Sequence, residues 1–255
     1  MKGAQMKLSG RTILITGGSS GIGYEFATQL LARGNRVIVT GRNQAAMDKA
    51  KAQLPQLETI RSDVDDVAAI RALCDDLITR FPKLDTLINN AGIMRIIKLG
   101  EGIDLDELTD EVDINLNGTM RMTELLLPHL KRHRNGLIVN VSSGLAFVPM
   151  PISPAYSAAK AGVHAYTRCL RAQMADTALT VVELAPPLTE TPLYQAEFSR
   201  RMNGQRGMPV VTLVKKAIAG IEAGKTEIRP GQANALKIAS RIAPGLIFRA
   251  LSRVT

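Results

Sequence analysis

Seven short runs of β-branched and aliphatic residues recur along the chain, at 12–16 (TILIT), 36–40 (RVIVT), 57–61 (LETIR), 86–89 (TLIN), 137–141 (LIVNV), 180–184 (TVVEL) and 226–229 (TEIR). The intervals are long enough for crossover helices, and most of the runs are apolar at nearly every position, as strands covered on both faces must be. This alternation predicts βαβ units and an α/β fold: a doubly wound parallel sheet of about seven strands with helices on both sides. At 255 residues and 45% hydrophobic content, one domain can bury the core that such a sheet needs. No repeat or Pro/Gly/Ser-rich linker divides the chain.

The first run leads into TGGSSGIG at 16–23, which opens the pattern IGYEFATQLLARG with Ile22, Phe26, Leu30 and Leu31 on one helical face. Strand, glycine turn and helix in that order make a phosphate cradle. Glycine lets the backbone approach a pyrophosphate, whose charge is favoured by free N–H groups and the helix dipole. Gly17, Ser19, Ser20, Gly21, Ile22 and Gly23 are the candidate contacts in a single-domain Rossmann-type fold. The second run ends in Gly41-Arg42-Asn43, where such folds read the adenosine ribose. No acid stands there to accept from a 2′-hydroxyl, and Arg42 offers a cation for a 2′-phosphate. NADP(H) is therefore the expected cofactor, with NAD(H) as the alternative.

Tyr156 and Lys160 lie four residues apart in the helical pattern AYSAAKAGVHAYTRCLRAQMA and project from one face. A phenol with pKa ~10 is a poor base at neutral pH, and an ammonium beside it is expected to lower that value. The two make an acid/base pair. Ser143 follows the fifth run, where its hydroxyl can hold a substrate oxygen; Ser142 is its competitor. Tyr166 and Tyr194 compete with Tyr156, but neither is followed by a lysine four residues on.

In order, TGGSSGIG, Asp63-Val64, NNAG at 89–92, Asn115, NVSS at 140–143 and Tyr156-Ser-Ala-Ala-Lys160 resemble the motifs of short-chain dehydrogenases/reductases over about residues 8 to 230. Within that family the chain is most similar to the subgroup that includes oxidoreductases found alongside teichoic-acid D-alanylation genes. The resemblance implies an enzyme that interconverts a carbonyl and a secondary alcohol by hydride transfer. It makes Tyr156 the acid/base, Lys160 the holder of the nicotinamide ribose, Ser143 the group that orients the substrate oxygen and Asn115 a support for a water relay. It also implies cofactor contacts from Asp63, Val64, Asn90, Ala91 and Gly92. After the sixth run the family has Pro-Gly, an aliphatic residue and Thr; here Pro186-Pro187-Leu188-Thr189-Glu190-Thr191 departs at 187 and 189. Pro186, Thr189 and Thr191 remain the expected contacts at the nicotinamide end.

Ile93, Met94, Leu145, Phe147, Met150, Leu188, Leu193 and Tyr194 surround the expected substrate position, so a hydrophobic ketone or alcohol is expected. Residues 192–210 read as a mobile substrate loop. His129, His133 and His164 lack ligand spacing and read as surface or helix-end groups; no metal is expected. Cys74 and Cys169 are distant and unsupported as a disulfide. With no signal-like or 18-residue apolar stretch, a soluble cytoplasmic protein is expected.

The charge of +9 lies at one end: residues 1–199 balance at 21 Lys/Arg and 21 Asp/Glu, while 200–255 hold 11 against 2. The division expected is a dinucleotide-binding and catalytic domain at 1–231 and a basic amphipathic extension at 232–255, broken at Pro244. That extension packs on the body, a partner subunit or a membrane surface. Nucleic acid is not an expected partner. By resemblance a homo-oligomer forms through helices that include 113–133 and 156–176. The competing readings are an NADP(H)-binding scaffold without turnover and a membrane-associated adaptor.

Overall fold

The computed structural model describes residues 6–198 and 205–252. Among these, the strands are β1 (Thr12–Thr16), β2 (Arg36–Gly41), β3 (Glu58–Arg61), β4 (Leu84–Asn89), β5 (Leu137–Val141), β6 (Thr180–Leu184), β7 (Thr189–Glu190), β8 (Met208–Pro209) and β9 (Glu227–Ile228). Seven form one parallel sheet in the order β3-β2-β1-β4-β5-β6-β9, while β7 and β8 pair with each other beside it. The helices are α1 (Gly21–Leu31), α2 (Gln44–Gln53), α3 (Val67–Arg80), α4 (Leu105–Val112), α5 (Gly118–Leu130), α6 (Pro154–Gln173), α7 (Pro192–Glu197), α8 (Val210–Glu222), α9 (Gln232–Ile242) and α10 (Pro244–Ser252).

Side chains that alternate along a strand build two cores, one on each face. Ile13, Ile15, Val37, Val39, Val139 and Val182 face α1 and α8. Leu14, Ile38, Leu87, Ile138 and Val181 face α3, α5 and α6. A one-residue slip in any of these parallel pairings would exchange the two sets, so the apolar runs fix register as well as burial. The sheet is therefore the doubly wound Rossmann-type arrangement expected from the alternation. Strand order reverses between β1 and β4, and the crevice of such a sheet opens beyond the strand C-termini at that point.

The segment read as a loop at 192–210 is partly ordered otherwise. It begins with α7, which Pro192 can open because a first-turn residue needs no N–H partner, and ends at β8. Residues 199–204 lie outside the described residues. Pro244 follows Ala243, whose non-helical backbone ends α9, and starts α10.

Candidate active site

A cavity of about 680 Å³ lies beyond the C-terminal ends of β1, β4 and β5. Of the residues expected to contact a cofactor, Gly17, Ser19, Ser20, Gly21, Ile22, Arg42, Asp63, Val64, Asn90, Ala91, Gly92, Tyr156, Lys160, Pro186, Thr189 and Thr191 line it. Gly23 and Asn115 stand behind its wall. A Cβ on Gly17 would approach Ala91 Cα to 2.8 Å, and Gly17 and Gly21 have φ of 64° and 54°, where side chains are strained. Ser20 at the N-cap of α1 makes no side-chain cap and no acid occupies the first turn. The turn thus offers the close backbone approach and uncapped helix N-terminus that a pyrophosphate fits.

Asn90 secures this turn. Its Nδ2 donates to Thr16 O and Gly17 O, both at 3.0 Å, and Thr16 Oγ1 accepts from the N–H groups of Asn90 and Ala91. Asn89 turns the other way: its amide donates to Thr123 Oγ1 and Asn140 Oδ1, and Asn140 donates to Thr167 Oγ1. That buried ladder joins β4 and β5 to α5 and α6. At the other end, Arg42 Nη1 lies 3.7 Å from Asp63 Oδ2, with the guanidinium more than half exposed. Asn43 is spent on capping α2.

The Tyr156 phenol faces the Ser143 hydroxyl, both residues almost wholly buried. Lys160, one turn along α6, donates from Nζ to Val141 O at 3.0 Å and lies 5.7 Å from the Tyr156 ring centroid. Ser142 has a different commitment, since its hydroxyl donates to Glu183 Oε1 at 2.5 Å. The expectation that Lys160 depresses the phenol pKa is not met: burial pushes Tyr156 up to about 12, outweighing the lowering by the Ser143 hydroxyl, and Glu111 raises it further. The same burial pulls Lys160 down to about 8, which weakens the ammonium as a partner.

Asn115 sits in a π-helical turn, Asp113–Asn117, between α4 and α5. Its side chain closes on one peptide unit, accepting from Ile93 N–H at 2.9 Å and donating to Ile93 O at 2.8 Å. Tyr194 lines the cavity with its hydroxyl held by Gln205 O, and Tyr166 is turned to Thr123. Thr189 and Thr191 give their hydroxyls to the carbonyls of Pro187 and Thr189.

Ile93, Met94, Leu145, Met150, Leu188, Leu193 and Tyr194 line the cavity as expected for an apolar substrate side, whereas Phe147 does not. Its ring packs edge-on against His164, 5.1 Å between centroids, with Lys237 Nζ 5.0 Å above it. The sequence also gave no reason to place Phe198 of the 192–210 segment, or Leu236, Ala239, Ile247 and Leu251 of α9 and α10, in the cavity wall.

Four polar groups escaped the sequence reading. Glu183, buried in β6, accepts from Ser142 on one oxygen and meets His164 Nδ1 at 2.8 Å on the other. A carboxylate inside the apolar run TVVEL was the available signal. His164 is therefore an internal group of α6, and His129 is buried in the last turn of α5, neither being a plain surface histidine. Glu111, wholly buried, accepts from the Arg95 N–H, while Ser153 Oγ donates to Arg95 O at 2.6 Å. The loop after β4 is thereby clasped to the start of α6, where Tyr156 sits; no pattern in the acidic stretch around 104–113 marked this. Among the described residues no cluster of His, Cys, Asp and Glu is arranged to hold a metal, both cysteines are free, and no helix is long and apolar enough to cross a membrane.

A phosphate-fitting turn and a buried Ser-Tyr-Lys group in one crevice define an oxidoreductase of the nicotinamide-dependent class. The short chain dehydrogenase family profile matches residues 11–202, and the chain belongs to the short-chain dehydrogenase/reductase family, whose members act on alcohol and carbonyl groups. It is 38% identical over 237 residues to the uncharacterized oxidoreductase DltE of Bacillus subtilis, covering 92% of this chain and 94% of that one, within the subgroup the motifs indicated. A short chain dehydrogenase from Burkholderia cenocepacia solved in complex with NADP superposes with a TM-score of 0.83 at 25% identity, covering 96% and 99% of the two chains. The 3-ketoacyl-(acyl-carrier-protein) reductase from Brucella melitensis, complexed with NADH, gives 0.78 at 28% identity over 87% of this chain and 96% of that one.

Proposed function

We propose that the protein is an NADP(H)-dependent reductase of a hydrophobic ketone or aldehyde, with Tyr156 as its proton donor. The observation that carries this reading is the buried juxtaposition of Ser143, Tyr156 and Lys160 in the same cavity as the glycine turn and Arg42. The cofactor, when bound, supplies the hydride. Everything else falls to the chain. The α1 N-terminus and glycine turn hold the pyrophosphate; Asp63, Val64 and Ala91 flank the adenosine; Gly92, Lys160, Pro186, Thr189 and Thr191 meet the nicotinamide half. The Ser143 hydroxyl holds the substrate oxygen as charge develops on it, and the Tyr156 O–H gives that oxygen its proton. Lys160, anchored on Val141 O, stabilises the phenolate left behind. Asn115 keeps the Ile93 peptide, and so the apolar wall, in place. A phenol pushed up to about 12 is protonated at neutral pH, which suits reduction. We read it as a cytoplasmic homo-oligomer, the assembly that the family resemblance implies.

Arg42 decides the cofactor. Its exposed link to Asp63 is weak, so a 2′-phosphate can take the guanidinium at little cost. A charge-assisted pair of that kind contributes about 1.5–3 kcal/mol, so Arg42→Ala should weaken NADPH binding by roughly 10- to 150-fold and leave NADH nearly unchanged. Titration of both cofactors by fluorescence tests this. Equal loss for the two would remove Arg42 from cofactor selection.

The pH dependence follows from Lys160. Its pKa is lowered from 10.5 to about 8, so it is charged below that pH and neutral above it, while Tyr156 stays protonated throughout the range. Reduction, measured as kcat/KM on a panel of aliphatic ketones and aldehydes, should fall as pH rises through about 8. Lys160→Arg, which keeps its charge, should move that limb upward. A limb that stays in place would assign it to another group.

A further inference from the structure

The helices α9 and α10 carry two faces with different surroundings. Inward, Leu236 and Ala239 of α9 and Ile247 and Leu251 of α10 line the cavity that contains Tyr156. Leu236 lies so close over Gly144 that a Cβ there would come within 3.3 Å of its Cδ1. Lys237 also turns inward, donating to Glu227 Oε2 at 2.7 Å and covering the Phe147 ring. Outward, Ile238, Ile242, Leu246 and Phe248 are 51%, 79%, 68% and 42% exposed. Arg241 and Arg249 are exposed with them, and α10 buries no residue.

Four large apolar side chains in two short helices are more than the scattered exposure of an ordinary surface, and mark a face that something covers. Charge says what. Residues 228–255 hold five Lys/Arg and no Asp/Glu, the last acid being Glu227, which is already engaged with Lys237 and Arg229. A two-fold contact between copies sets such a patch against itself, placing arginines near arginines with no acid between them. An anionic lipid surface satisfies both properties at once: the apolar side chains enter the acyl boundary and the cations meet headgroup phosphates. Neither helix is long enough to span a bilayer, so each lies in its plane.

We propose that the outer face of α9 and α10 docks on an anionic phospholipid bilayer, which sets the wall of the substrate cavity directly against the lipid. The docking is independent of turnover, so it stands or falls apart from the reductase reading.

Sedimentation of the full chain with vesicles of phosphatidylcholine alone, or of phosphatidylcholine mixed with phosphatidylglycerol, tests it. Binding to the anionic vesicles should exceed binding to the neutral ones by about tenfold or more and weaken with salt. Arg241→Glu with Arg249→Glu, and separately Leu246→Glu with Phe248→Glu, should each remove that preference while melting temperature and NADPH affinity stay at the wild-type values. No anionic preference at low salt would overturn the proposal, as would full binding by either double variant. A dimer in sedimentation equilibrium that Leu246→Glu with Phe248→Glu dissolves would also overturn it, giving the face to a second copy.

Discussion

Phenylalanine at position 156 should lower carbonyl reduction by roughly 10²- to 10⁴-fold, the range that a positioned general acid contributes. The substitution removes one oxygen from a site that is almost fully buried, so the ring packing and the position of Lys160 survive. NADPH affinity should therefore fall by less than about tenfold, since the ring and most of the cofactor contacts remain. Steady-state reduction with the aliphatic carbonyl panel, alongside cofactor titration, separates the two effects. Retention of more than about a tenth of wild-type kcat would take the proton donor role away from Tyr156. Neither competitor could then inherit it easily, because the Tyr194 hydroxyl is engaged by Gln205 and Tyr166 is turned to Thr123.

The second large effect is expected at Gly23. A Cβ there would stand 2.5 Å from Asn90 Nδ2 and closer still to Gly17 O, the two partners whose hydrogen bond holds the glycine turn. Neither is the free end of a flexible side chain. Gly23→Ala must therefore push the turn away from Asn90, at a cost of about 1–3 kcal/mol in stability. That corresponds to a fall of roughly 2–12 °C in melting temperature for a chain of this size. NADPH affinity should drop tenfold or more, because the backbone that approaches the pyrophosphate is the part displaced. Gly245→Ala is the control: nothing lies within 4 Å of its added carbon, so stability should change by no more than ~1 kcal/mol. Wild-type melting and cofactor affinity in Gly23→Ala would show that the turn does not depend on this close approach.

The inner strands β1, β2, β4, β5 and β6 were legible because they are largely buried on both faces, which leaves nearly continuous apolar runs. The elements that escaped are those whose stability comes from elsewhere. The pairing of β7 with β8 is two residues long on each side and is made by the course of the chain after Pro186 and Pro187, so no periodicity announces it. Of the site, the positions were recoverable from spacing: one helical turn between Tyr156 and Lys160, one glycine cluster between a strand and a helix. Its electrostatics were not. The ammonium was expected to dominate the phenol, but the sequence does not report how deeply both groups are buried, and desolvation moves each against its charged form. Phe147 shows the same limit in packing. Its position after Ser143 placed it near the substrate, while His164, a residue distant in sequence, decided where the ring turned.

The arrangement around Glu183 bears on how this chain can diverge. One carboxylate serves Ser142, just after β5, and His164 on α6 with separate oxygens; Ser142 donates to it, and His164 does so in the tautomer that carries its proton on Nδ1. A glutamine in its place brings one acceptor and one amide donor, so one partner must reverse its role. Serine can do so by turning its hydroxyl; histidine must adopt the other tautomer. Substitutions at 142, 164 and 183 are therefore expected to travel together through related sequences, and a variant library that randomises one of the three alone should return mostly the starting residue.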